Sequence, residues 1–182
     1  MRARILAAVS VSLAASLASG RSGPSPTARP SAEEARAAFE RIKSLAGTWE
    51  GRSTKGWRET LRYQVIAGGS AVLETSFEAH PGEEMATVFH MDGDRLTLTH
   101  YCVAKNQPRL EATSITDGGR TVVFTFQDGG NLPTRDKGHM DSAVFTFDGP
   151  DRVTSRWSWY ETGKEKWFED IVSIRLPEKA NR

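Results

Sequence analysis

Cysteine is almost absent from this chain: Cys102 stands alone. An intrachain disulfide is therefore excluded, and any folded domain must be held by packing. No cysteine lies near the start of the chain, so covalent lipid anchoring there is not expected. Charge of one sign is missing too. With 24 Lys and Arg against 23 Asp and Glu the formal charge is +1, and no polybasic cluster occurs, which argues against a nucleic-acid partner. Histidine is scarce, four residues with neither His-x-His nor His-Glu-x-x-His spacing, so no metal site is expected. A Gly-x-Ser-x-Gly elbow is lacking. Gly68-Gly69 and Gly129-Gly130 read as turns, because no helix follows them to cradle a phosphate.

Long hydrophobic runs reduce to one. Met1-Arg2-Ala3-Arg4 is followed by apolar residues and small serines from Ile5 to Leu17, then by Ala18-Ser19-Gly20. That is the order of a secretory signal peptide, and the run is short for a bilayer span of about 20 residues. The expectation is a signal peptide over 1–20, export to the periplasm or beyond, and no stable membrane insertion after cleavage. Residues 21–30, rich in Ser, Pro, Gly, Thr and Arg, read as a disordered spacer. Residues 31–177 read as one domain and 178–182 as a tail.

Ser31-Ala32-Glu33-Glu34 has the pattern of a capping box, opening a helix that runs to about Leu45 and is ended by Gly47. From Trp49 onward the hydrophobic period becomes two. Ten strands are predicted, 48–52, 59–66, 71–79, 85–91, 95–103, 109–116, 121–127, 140–147, 152–160 and 166–175. Most connections are short and Gly-containing, as hairpins require; 128–138 is the one long loop. A meander of this many twisted strands must curl, and closure removes its edges. The predicted fold class is mostly β: an antiparallel up-and-down barrel of about ten strands with one short N-terminal helix.

Leu45-Ala46-Gly47-Thr48-Trp49-Glu50-Gly51 resembles the Gly-x-Trp signature that opens lipocalin-like (calycin-type) barrels. The resemblance implies a tryptophan plugging the closed end, covered by an arginine of the last strand, for which Arg175 is placed. Thr99-His100-Tyr101-Cys102 and Asn106-Gln107-Pro108-Arg109 are similar to segments of exported bacterial lipocalin-like proteins of unknown function, a likeness that implies fold and not activity. The opening also resembles that of nitrobindin-type haem barrels, whose ligand histidine lies late in the chain. Here Ser53 stands where a further glycine would fall, and no histidine follows His139.

Alternation along the fifth strand places Leu96, Leu98, His100 and Cys102 on one face, the leucine face being the natural inward one. Trp157 and Trp159 likewise share a face. Glu74, Glu111, Glu169 and Asp170 fall within strands, where carboxylates are usually solvated. Asn106 to Arg109 are expected at a barrel mouth, and the long loop ending at His139 is expected to overhang one as a lid or entrance. The expected function is sequestration of a small, partly hydrophobic or amphipathic ligand. His100, Arg109, His139, Trp157 and Trp159 are the candidate contacts, with His100 and Arg109 as polar anchors. The alternatives are a barrel enzyme using His100 as acid or base and, from the second resemblance, a haem barrel. No cofactor is otherwise indicated.

Overall fold

The computed structural model describes residues 29–77, 82 and 84–177. The expected signal peptide, most of the spacer, the tail, and His80 lie outside the described residues. Among these residues there are one α-helix, α1 (Ala32–Lys43), and ten strands: β1 (Gly47–Ser53), β2 (Arg58–Ile66), β3 (Ala71–Phe77), β4 (Met85–Asp92), β5 (Arg95–Tyr101), β6 (Gln107–Thr116), β7 (Thr121–Gly130), β8 (His139–Phe147), β9 (Arg152–Glu161) and β10 (Lys164–Arg175). The strands pair antiparallel with their sequence neighbours, and β1 pairs with β10 to close the barrel. The expected fold class is therefore the observed one.

The expected capping box is present. The Ser31 hydroxyl accepts from Glu34 N at 3.2 Å, and Ser31 N donates to Glu34 Oε2 at 2.8 Å. The helix stops at Lys43, two residues before the expected end, with Ser44 as its C-cap. Leu45 leaves the helix with its carbonyl free to accept from Trp49 Nε1 at 2.7 Å. Ala35, Ala38, Phe39 and Ile42 form the buried face of α1. The helix is fastened across one end of the barrel: Arg36 pairs with Asp94 between β4 and β5, and Arg41 Nη2 donates to Gly118 O between β6 and β7.

Trp49 and Arg175 complete that closed end. Trp49 is fully buried, and the Arg175 guanidinium lies 4.3 Å from its ring centroid. Arg175 Nη1 donates to Ala46 O at 2.7 Å, and its Nη2 donates to Ser44 O at 2.8 Å and to Pro150 O at 3.0 Å. One side chain thus ties β10 to the end of α1 and to the β8–β9 turn. Gly47 makes room for it. Its φ is +133°, and a Cβ there would sit 3.0 Å from Arg175 Nη1.

Above this floor the interior is filled by Phe89, Phe124 and Phe145. They meet edge to face in all three pairs, with centroids 6.0, 5.5 and 6.0 Å apart, a geometry worth about 0.5–1.5 kcal/mol per pair beyond the area buried. Val72, Leu96, Leu98, Leu110 and Val122 pack with them in the core. The barrel is therefore solid in its closed half. Replacing Arg175 by Ala removes the cation–π contact and leaves carbonyls of Ser44, Ala46 and Pro150 without that donor. The expected loss is about 3 kcal/mol of unfolding free energy, measured by urea denaturation.

Candidate functional site

The open half of the barrel holds a cavity of about 330 Å³. Its apolar wall is built from Trp57, Trp157, Trp159, Trp167, Met85 and Met140. Trp159 and Trp167, paired across β9 and β10, stack with centroids 5.7 Å apart and planes within 2°, and Trp167 is partly exposed at the rim. Its polar wall carries Glu59, Glu74, Glu169, Ser76, His100 and Cys102.

The polar wall follows from register. Tyr63 on β2 faces Glu74 on β3, Glu74 faces Thr87 on β4, and Thr87 faces His100 on β5. Four consecutive strands so present four polar side chains in one row, each on the inward face of its pleat. The Tyr63 hydroxyl donates to the Glu74 carboxylate, and Thr87 Oγ1 lies 3.0 Å from His100 Nδ1. His100 Nε2 has no hydrogen-bond partner among the described residues, and the ring packs 5.0 Å from that of Trp157. Glu59 lies nearer the rim on β2, opposite Gly51 of β1. A Cβ at Gly51 would lie 2.9 Å from Glu59 Cγ, so the absent side chain is what lets Glu59 turn inward. Glu169 on β10 accepts from the Ser53 hydroxyl.

Burial governs the charge of these groups. Glu59 is 4% exposed; burial, and then the neighbouring Glu169 charge, push its carboxyl up to about 7. Glu74 is pushed up to about 8, by burial and then by Glu59, with the Tyr63 hydroxyl acting in the opposite direction. Burial lowers His100 to about 4, so its ring is neutral at physiological pH. The Cys102 thiol is raised by burial, partly offset by the Ala104 amide, which disfavours the nucleophilic thiolate.

Three of the five candidate contacts, His100, Trp157 and Trp159, stand on the cavity wall, as does Cys102. Two do not. Arg109 lies on the outer face of β6, more than half exposed and paired with Asp128, because its neighbour Leu110 takes the inward position. His139 is fully buried, yet it too points away from the cavity, since the adjacent Met140 lines it. His139 packs 4.4 Å from Phe126 and 5.6 Å from Tyr160. Arg135 donates to its Nε2, so its Nδ1 donates to Lys137 O. The long loop shrinks to 131–138 because β7 runs on to Gly130. Asn106 Nδ2 donates to Gly138 O and Asn131 Nδ2 to Gln107 Oε1, and no residue of 131–138 lines the cavity. Glu59, Glu74, Glu169, Ser76, Trp57, Trp167 and Met85 are wall residues outside the five expected contacts, and Glu74, Glu111 and Glu169, expected to be solvated, are buried. The signal for Glu59 was its alternation with the inward Leu61 and Tyr63.

The haem alternative fits this interior poorly. His100 Nε2 is free to ligate, but the cavity is at the lower end of the small-molecule range of about 300–1,000 Å³ and short of what a tetrapyrrole fills. Among the described residues no group of three or more His, Cys, Asp or Glu is arranged to hold a metal ion. Compared with known proteins, the chain matches no protein-family profile, and no curated protein gives a significant match.

Two outcomes follow from the buried carboxylates. Glu59 and Glu74 bind protons more tightly when folded, so the stability they confer is full below their unfolded pKa and declines as pH rises through about 7 and 8. His100 acts oppositely, but only between about 4 and the ordinary imidazole value of about 6.5. Above that window the carboxylates stand alone, and the urea midpoint should fall between about pH 6.5 and pH 8.5; Glu74→Gln should flatten the fall. Gly51→Ala should cost about 1–3 kcal/mol by crowding Glu59. Repeating it in a Glu59→Ala background, by a double-mutant cycle in urea, should recover the part due to Glu59 and leave the part due to Ile171 Cγ2, 3.1 Å from the same Cβ.

Proposed function

We propose that this chain is an exported barrel protein that sequesters a small, partly hydrophobic molecule in the open half of the barrel. The cavity of about 330 Å³ carries this reading, being walled by tryptophan and methionine yet furnished with a few inward polar groups. That mixture is what small-ligand sites use, apolar surface for affinity and sparse polar atoms for orientation. The solid closed half supports it as well: the barrel has side chains enough to fill its floor and leaves the mouth open. Export rests on the basic, apolar and small-residue order of residues 1–20.

An enzyme using His100 has one observation in its favour, the unpartnered Nε2. Held near 4 by burial, however, the ring is poorly matched to proton transfer at neutral pH. Binding is the stronger reading.

Titration with the neutral dye N-phenyl-1-naphthylamine, followed by dye emission and tryptophan quenching, should give saturable one-to-one binding. Ser76→Leu, which fills the cavity from β3, should weaken it at least about tenfold with the fold intact by circular dichroism. Arg109→Ala, on the outer face, should leave it unchanged. No saturable binding, or binding indifferent to Ser76→Leu, overturns the proposal.

A further inference from the structure

We propose that the molecule held in the cavity is a small organic cation, a protonated amine on an apolar or aromatic body, bound between the Glu59 and Glu74 carboxylates and the tryptophan wall. This rests on the reading of the barrel as a small-ligand binder and adds the charge of its ligand.

The first support is a contrast within the chain. Glu59, Glu74 and Glu111 are each more than nine-tenths buried. Glu111 points outward from β6 and is met by Arg95 at 3.2 Å and Arg29 at 3.3 Å. Glu59 and Glu74 point inward, and among the described residues no Lys or Arg lines their cavity. Glu59 Oε1, Glu74 Oε2 and Glu111 Oε1 all lack a hydrogen-bond partner among the described residues, so the contrast lies in the arginine beside Glu111 Oε1 and not in the hydrogen bonds. Buried carboxylates are ordinarily paired, so a protein that supplies arginine to its outward buried glutamate and none to the inward two leaves that role to an incoming cation.

The second support is the tryptophan lining. Trp57, Trp157, Trp159 and Trp167 border the same space. Trp159 and Trp167 stack on each other, and Lys55 already lies 5.8 Å from the Trp167 ring centroid. That leaves Trp57 and Trp157 as the indoles for an incoming cation, indole being the best of the aromatic faces for one. A metal ion is a poor occupant, because the carboxylates form no group arranged to hold one. The cavity volume suits a ligand of one or two rings.

Glu59 meets Gly51 of β1 and feels Glu169 of β10; Glu74 meets Tyr63 of β2 and, beyond Thr87 of β4, His100 of β5, with Cys102 after it. None of these is a cation at neutral pH. An ammonium placed among them favours the ionised carboxylates, so binding releases protons and tightens with pH while the amine, with a pKa of about 10, stays charged.

Isothermal titration of the full chain with 2-phenylethylammonium, its neutral isostere 2-phenylethanol and the anion 3-phenylpropionate tests this. At about pH 8.5 the ammonium should bind at least about tenfold tighter than the alcohol and the anion weakest, and its affinity should rise from about pH 6.5. Glu74→Gln and Glu59→Gln, which replace a buried acid by a neutral group of the same shape, should each weaken ammonium binding about tenfold and spare the alcohol. If the alcohol binds as well as the ammonium, or ammonium affinity falls with pH, the cation inference fails while the binding site stands. If neither probe binds and the naphthylamine dye does not either, both readings fall together.

Discussion

Arg175 over Trp49 is the contact on which the rest of the barrel depends. It sits on the seam, where β1 and β10 pair Trp49 with Arg175. There it joins the start of the first strand, the end of the last, the helix and a turn. Without a disulfide the closed end has no covalent tie, and one guanidinium hydrogen-bonded to three backbone carbonyls takes that place. A sealed floor is also a condition for an open mouth, since the Phe89, Phe124 and Phe145 core can anchor the strands from one end only if that end is dry. Tyr63 links the two halves, edge-on to Trp49 at 6.3 Å below and hydrogen-bonded to Glu74 above.

The upper half is organised against stability. Of the three inward carboxylates, Glu169 raises the proton affinity of Glu59 and Glu59 that of Glu74, and filling the same space with aliphatic side chains would hold the barrel more firmly. Glu59 and Ile171 both crowd the place a Gly51 side chain would take, and such a local conflict in an otherwise consistent fold is where function is to be sought. The two glycines of the opening motif thus have separate physical reasons, Gly47 for the floor arginine and Gly51 for the rim glutamate.

Most of the architecture was legible in the sequence. Strict alternation located all ten strands within a few residues, and the leucine face of β5 correctly turned His100 and Cys102 inward. The same rule, applied without a prior for solvated carboxylates, places Glu59 with Leu61 and Tyr63, Glu74 with Val72, and Glu169 with Ile171. It also places Arg109 opposite Leu110 and His139 opposite Met140. Arg109 and His139 lie off the cavity wall because each sits on the opposite face of its pleat from the inward neighbour, a placement that proximity to a loop does not reveal. What alternation cannot supply is the row from Tyr63 to His100, because register between strands, and not sequence spacing, lines those side chains up.

The seam has a bearing on how the chain assembles. Every other strand pair joins sequence neighbours, so nine pairings can form by hairpin growth with short loops to close. Only β1 with β10 must bring together residues from opposite ends of the domain. The rim is unevenly anchored as a result. Glu169 and Gly51, beneath Glu59, lie on the two strands of the seam, whereas Glu74 and His100 lie on strands paired with sequence neighbours on both sides. Loosening of the seam would reshape one wall and spare the other, giving the cavity a soft side and a hard side.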